Sequence, residues 1–170
     1  MKKKILSIVC VLCMMVSTSA VAFADDSNVA AYMTIPATAI DVSVTESIDM
    51  TAVANSVDLT VDKVTVTNNS EAGVVNIDKV AATAATGWTL VEATTDFKSL
   101  NANAQKLSLT PTLGSSTWDI TKTCPTFSAA DSNVGAGASK DITFTGKTGI
   151  VTTSVNRVQA ASIVLTLSLA

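Results

Sequence analysis

Residues 57–68 read Val57-Asp58-Leu59-Thr60-Val61-Asp62-Lys63-Val64-Thr65-Val66-Thr67-Asn68. Val57, Leu59 and Val61 alternate with polar residues, the period of a strand with one buried face. The apolar phase then slips and resumes at Val64 and Val66. A one-residue slip turns a strand's apolar set to the other face, so a bulge or tight bend at Asp62-Lys63 is needed to keep both halves inward.

The same period recurs on either side. Ile40, Val42 and Val44 alternate with Asp41, Ser43 and Thr45. Further strands are expected over Gly73–Val80, Trp88–Ala93, Lys106–Thr110, Thr117–Thr121 and Asp141–Thr145. Val158–Leu169 closes the chain, with Ile163, Leu165, Leu167 and Leu169 on one face. Left on an edge, this strand would invite pairing with another chain; a central place, or one beside an N-terminal strand near Met33–Ile35, would protect it. Turn signals lie between the strands at Asn68-Asn69-Ser70, Thr86-Gly87, Leu113–Ser116, Gly135–Gly137 and Gly146–Gly149. Thr and Val suit a pleated, half-buried surface better than a helix. Asp96–Gln105 has room for one helical turn, but no stretch carries a 3.6-residue apolar stripe over eleven positions. The expected fold is all-β: a single antiparallel β-sandwich, Ig-like or jelly-roll-like, with no fixed-period repeat.

The start of the chain has the form of an export signal. Lys2, Lys3 and Lys4 precede an apolar run from Ile5 to Val16, and Ala22-Phe23-Ala24 fits the pattern cut by signal peptidase. The expected organisation is a signal peptide over 1–24 and one domain over 25–170. The apolar run is too short to span a bilayer, and the expected mature chain has no transmembrane segment. Removing three signal lysines leaves 8 basic against 14 acidic residues. An acidic chain with one Arg and no basic stripe is a poor candidate for nucleic acid. Of the three cysteines only Cys124 follows the cleavage point, so no internal disulfide is expected. It reads as a half-buried small hydrophobe, or as the odd thiol of a covalent dimer.

The residues for catalysis are missing. The chain has no His, which removes the common nucleophile-activating base and the commonest metal ligand. Asp41, Asp58 and Asp78 alternate with apolar neighbours and read as solvent-facing strand residues rather than a facing carboxylate pair. Asp131-Ser132-Asn133 begins like a calcium loop, but the sixth and twelfth positions are Ala136 and Ile142, not Gly and Glu. An ordinary turn and an irregular oxygen site both remain as readings. The sequon Asn68-Asn69-Ser70 reads as a turn. No enzyme activity, cofactor or metal is expected. Large aromatics are few: Tyr32, Trp88, Phe97, Trp118, Phe127 and Phe144 beyond the signal. Trp88 and Trp118 read as core anchors, or as platforms on which sugar rings stack.

The segment Gly87-Trp88-Thr89-Leu90, then Asp96-Phe97 and Leu107-Ser108-Leu109, resembles the first half of a WxL domain. Thr34-Ile35-Pro36, Val64-Thr65-Val66-Thr67-Asn68-Asn69-Ser70 and Gly73-Val74-Val75 are similar to WxL-like surface proteins of low-GC Gram-positive bacteria. The family's second Trp-x-Leu corresponds to Leu165-Thr166-Leu167-Ser168-Leu169, where Leu167 holds the place of the Trp. The resemblance implies a secreted all-β domain held non-covalently at the cell wall, on peptidoglycan or with other surface proteins. Trp88, Leu90 and Trp118 are the candidate wall or partner contacts. A structural subunit of a surface fibre or layer, assembled by strand pairing, is the alternative.

Overall fold

A computed structural model describes residues 41–52, 55–152 and 154–170. The expected signal, Tyr32, the strand near Met33–Ile35 and Ile40 lie outside them. The strands are β1 (Val42–Val44), β2 (Met50–Ala52), β3 (Asp58–Val61), β4 (Val64–Asn68), β5 (Val75–Ala84), β6 (Thr89–Leu90), β7 (Lys106–Leu113), β8 (Ser116–Thr117), β9 (Asn133–Val134), β10 (Ser139–Thr148) and β11 (Ala161–Leu169). One helical turn, α1, covers Ala129–Ser132.

The fold is an all-β sandwich of two sheets. In the larger sheet β3 and β4 lie end to end along one edge of β10, and β1 and β2 lie end to end outside them. β7 takes the other edge of β10, and β6 and β8 share the far side of β7. The smaller sheet runs β11-β5-β9. Val66, Ile77, Leu107, Leu109, Leu113 and Ile142 are fully buried between the layers.

Asp62-Lys63 forms the expected bulge. Thr60 pairs with Thr145 and Val64 with Ile142, so four steps on one strand match three on the other. Both residues of the dipeptide are exposed, while Val64 and Val66 are buried. A second bulge uses the same chemistry. Thr166 pairs with Lys79 and Leu167 with Ile77, which leaves Asp78 unpaired. Val61-Asp62-Lys63-Val64 and Ile77-Asp78-Lys79-Val80 are therefore equivalent devices: two charges loop outward so that apolar residues three apart both face the core.

Several expectations need correction. Val44 is 36% exposed, although its partner Val66 is buried. Trp88–Ala93 shortens to Thr89–Leu90 and runs parallel to β7, while the other pairings are antiparallel. A turn over Glu92–Thr95 ends it, and the Ala93 N–H is taken by the Asp119 carboxylate at 2.5 Å. Lys106–Thr110 extends through Pro111 to Leu113. Pro111 fits because its carbonyl accepts from Trp118, so its missing N–H faces the short strand β8 and leaves the β10 ladder intact. Gly146 lies inside β10 rather than in a turn. A Cβ there would meet the Ser108 carbonyl at 3.1 Å, Leu109 at 3.2 Å and Leu59 at 3.3 Å. Asp96–Gln105 holds turns and no helix, with Asn103 and Gln105 at positive φ. Among the described residues β11 has β5 as its one neighbour; the expected neighbour near Met33–Ile35 lies outside them.

Asn68 joins the two layers. Its side chain is fully buried, donates to the carbonyls of Gly73 (3.2 Å) and Val134 (3.0 Å), and accepts from the Ser70 N–H (3.1 Å). The sequon is thus a turn whose amide is already committed.

Candidate interaction surface

Among the described residues the smaller sheet has two open edges, and its hydrogen bonds show where they point. Ala85 N–H donates to the Ala160 carbonyl at 3.0 Å, and Ala170 N–H to the Val74 carbonyl at 2.9 Å. Bonded pairs alternate along an antiparallel ladder. Ser162, Val164, Thr166 and Ser168 therefore bond to β5, on the register Ser162–Thr83, Val164–Ala81, Thr166–Lys79 and Ser168–Asn76. The backbone groups of Ala161, Ile163, Leu165, Leu167 and Leu169 point the other way, to the open edge.

Nothing in β11 blunts that edge. Ala161–Leu169 contains no charged residue, no Pro and no Gly, the devices by which proteins keep edges from pairing. Its inward residues Ile163, Leu165 and Leu167 are only half-buried. On its outer face Val164 is 51% exposed. Ile150, Val151, Val155, Val158 and Leu169 are exposed as well, so the exposed large apolar residues concentrate in the segment that leads into and forms β11. Between Gly149 and Ala170 the sole charged residue is Arg157, which lies 3.7 Å from Asp49.

The second edge belongs to β5. By the same parity Val75 points to β9, while Ile77, Val80 and Ala82 point away from β11. Beside them is an open groove of about 580 Å³, walled on its far side by Ile120, Lys122, Cys124, Pro125 and Phe127. Cys124 is half-buried, packed against the core and free. The groove holds one carboxylate, Asp78.

Trp118 and Trp88 differ in setting. Trp118 follows β8, is 9% exposed, and packs on Phe127 with ring centroids 5.2 Å apart at 53°. Its Nε1–H is buried without a hydrogen-bond partner among the described residues. A ring so placed offers no face to a sugar. Trp88 sits on the turn into β6, where its N–H donates to the Ala85 carbonyl, and is half-buried against the core. Leu90 is half-buried in β6. The structure therefore packs Trp88 and Leu90 at the margin of the core and puts Trp118 in its interior. Leu167 faces inward opposite Ile77.

The acids are engaged in local structure. Burial opposes ionisation of Asp119, but the N–H of Ala93, the hydroxyl and N–H of Thr121 and the charge of Lys122 outweigh it and hold its carboxyl below the usual value. The Ser115 hydroxyl and N–H, with Ser128, lower Asp131, which ties the β7–β8 turn to α1. Lys63 at 2.6 Å and the Thr65 hydroxyl at 2.7 Å lower Asp141. Glu92 bonds Lys122 and raises its pKa. Asp41, Asp58 and Asp78 are exposed, as alternation requires. Among the described residues no three His, Cys, Asp or Glu side chains cluster as metal ligands, and no helix is long and apolar enough to cross a membrane.

No protein-family model, curated protein or solved structure matches this chain.

Proposed function

We propose that this chain is an exported, non-catalytic protein of a bacterial cell wall, and that it works by pairing its open sheet edge with a strand of another protein at that surface. The observation that carries the reading is β11: nine residues without charge, Pro or Gly, with a free row of backbone donors and acceptors among the described residues. Such an edge is a template for strand addition, in which main-chain bonds supply affinity and alternate side chains supply selectivity. Export is supported by the charged start, apolar run and Ala22-Phe23-Ala24 of the sequence. The wall is supported by the resemblance to WxL-like proteins around Trp88, Leu90 and the strand ending in Asn68-Asn69-Ser70. The lack of His and the structural engagement of Asp119, Asp131 and Asp141 support a binding rather than a catalytic role.

A second reading, direct contact with peptidoglycan, is favoured by Trp88, which is only partly buried. One experiment separates the two. The purified protein is sedimented with cell walls that keep their proteins and with walls stripped by protease. Strand pairing predicts retention by the first alone, lost on Val164→Lys with Thr166→Lys. Retention by stripped walls that Trp88→Ala abolishes would favour glycan contact. Retention by neither would defeat both.

A further inference from the structure

We infer that the occupant of the β11 edge is the β11 of a second copy, joined about a two-fold axis into one continuous sheet; this rests on the strand-pairing reading above and names its partner. The parity of the ladder limits the register to those that set outward groups opposite outward groups, and among these centring on Leu165 pairs the full length of the strand. The residues whose backbone groups point outward, Ala161, Ile163, Leu165, Leu167 and Leu169, are evenly spaced about Leu165. Two such strands, antiparallel and centred on Leu165, meet with outward groups opposite outward groups at each of these positions. Every such pair exchanges two N–H···O bonds. An isologous contact requires this self-complementarity.

The side chains fit the same register. A two-fold axis normal to the sheet keeps both inward faces on one side. Ile163 then meets the partner's Leu167, and Leu165 meets the partner's Leu165. These residues are half-buried in one copy, and a neighbouring strand would cover the remainder. On the outer face Val164 stands opposite the partner's Thr166, a β-branched pair that suits a sheet surface. Electrostatics points to the same place. The chain carries 14 acidic residues against 11 basic, so two copies repel over most of their surface. The stretch from Gly149 to Ala170 holds no acid at all, and here like can approach like.

The test uses the full exported chain in sedimentation velocity across a range of concentrations, with hydrogen exchange read at the β11 amides. Dimerisation is expected, with slowed exchange at Ile163, Leu165 and Leu167 that follows dimer population. Val164→Lys with Thr166→Lys sets like charges opposite one another across the seam without touching the core, and should weaken the dimer about tenfold or more. Val164→Lys with Thr166→Glu sets opposite charges at the same two places and should restore it; because Thr166 stands opposite Lys79 within the chain, both double variants carry Lys79→Ala, so that rescue reports the seam. A chain that stays monomeric, a dimer indifferent to both double variants, or a monomer whose outward β11 amides are already protected by its own chain would overturn the inference. In the first case retention by protein-bearing walls, if kept, leaves the broader strand-pairing reading standing with a different partner. Loss of both ends both.

Discussion

Replacing Trp118 separates packing from polarity in the core. Its indole is buried on Phe127 and carries an Nε1–H without a partner among the described residues. Trp118→Ala removes the ring from a site walled by β7 and by the loop that carries Phe127, and cavity formation of this kind costs about 3–5 kcal/mol. Trp118→Phe keeps most of the apolar contact and deletes the orphaned donor. An unsatisfied buried polar group costs about 1–3 kcal/mol, so removing it offsets much of the loss from the smaller ring, and a net change within about 1 kcal/mol is expected. Urea unfolding followed by far-UV circular dichroism measures both variants, with m held constant as the sign that only stability changed. In thermal scans the Ala variant should melt roughly 10–20 °C lower and the Phe variant within about 4 °C of the parent. If Phe proves as damaging as Ala, Nε1–H has a partner in solution and the reasoning fails. If both are neutral, Trp118 is not a core residue.

Three further outcomes are expected. Asn68→Ala leaves the Gly73 and Val134 carbonyls and the Ser70 N–H without their partner; a loss of about 2–4 kcal/mol in denaturant titration is expected, and a neutral result would deny its role between the sheets. Gly114 has φ +58°, and a Cβ there would lie 1.8 Å from Asp131 Oδ1. Gly114→Ala should cost about 1–3 kcal/mol through backbone strain and displaced Ser115–Asp131 bonds, while Gly114→Asn, which tolerates this φ better, should still lose the Asp131 contacts. The carboxyls of Asp119, Asp131 and Asp141 are all held below their ordinary 3.8. Lowered folded-state values mean that the unfolded chain binds protons first, so the stability they supply is present above that value and fades as pH falls through the folded values. Stability should thus be flat toward neutrality on their account and decline below about pH 4; removing all three as Asn should flatten that decline, and an unchanged acid limb would refute the assignment.

Much of this architecture is set locally. Alternation from Val57 to Val66 requires strands, and the phase slip at Asp62-Lys63 requires a bulge, because side chains on a pleated strand face one side every second residue. The same sign stood at Ile77-Asp78-Lys79-Val80, where two apolar residues three apart flank the same dipeptide. The absence of His and the single Cys124 after the expected cleavage point likewise bound the chemistry whatever the fold. What the chain alone left open depends on distant partners. Gly146 resembled a turn residue because only the approach of Ser108, Leu109 and Leu59 explains a missing side chain within a strand. Trp88 and Trp118 are chemically alike in the sequence, and packing on Phe127 made one of them interior. The alternating leucines of β11 say that one face is apolar, but which neighbours it has is a matter of strand order. The sandwich places β5 on one side of β11 and, among the described residues, no strand on the other. Periodicity is a property of one strand, whereas an edge is a property of the sheet.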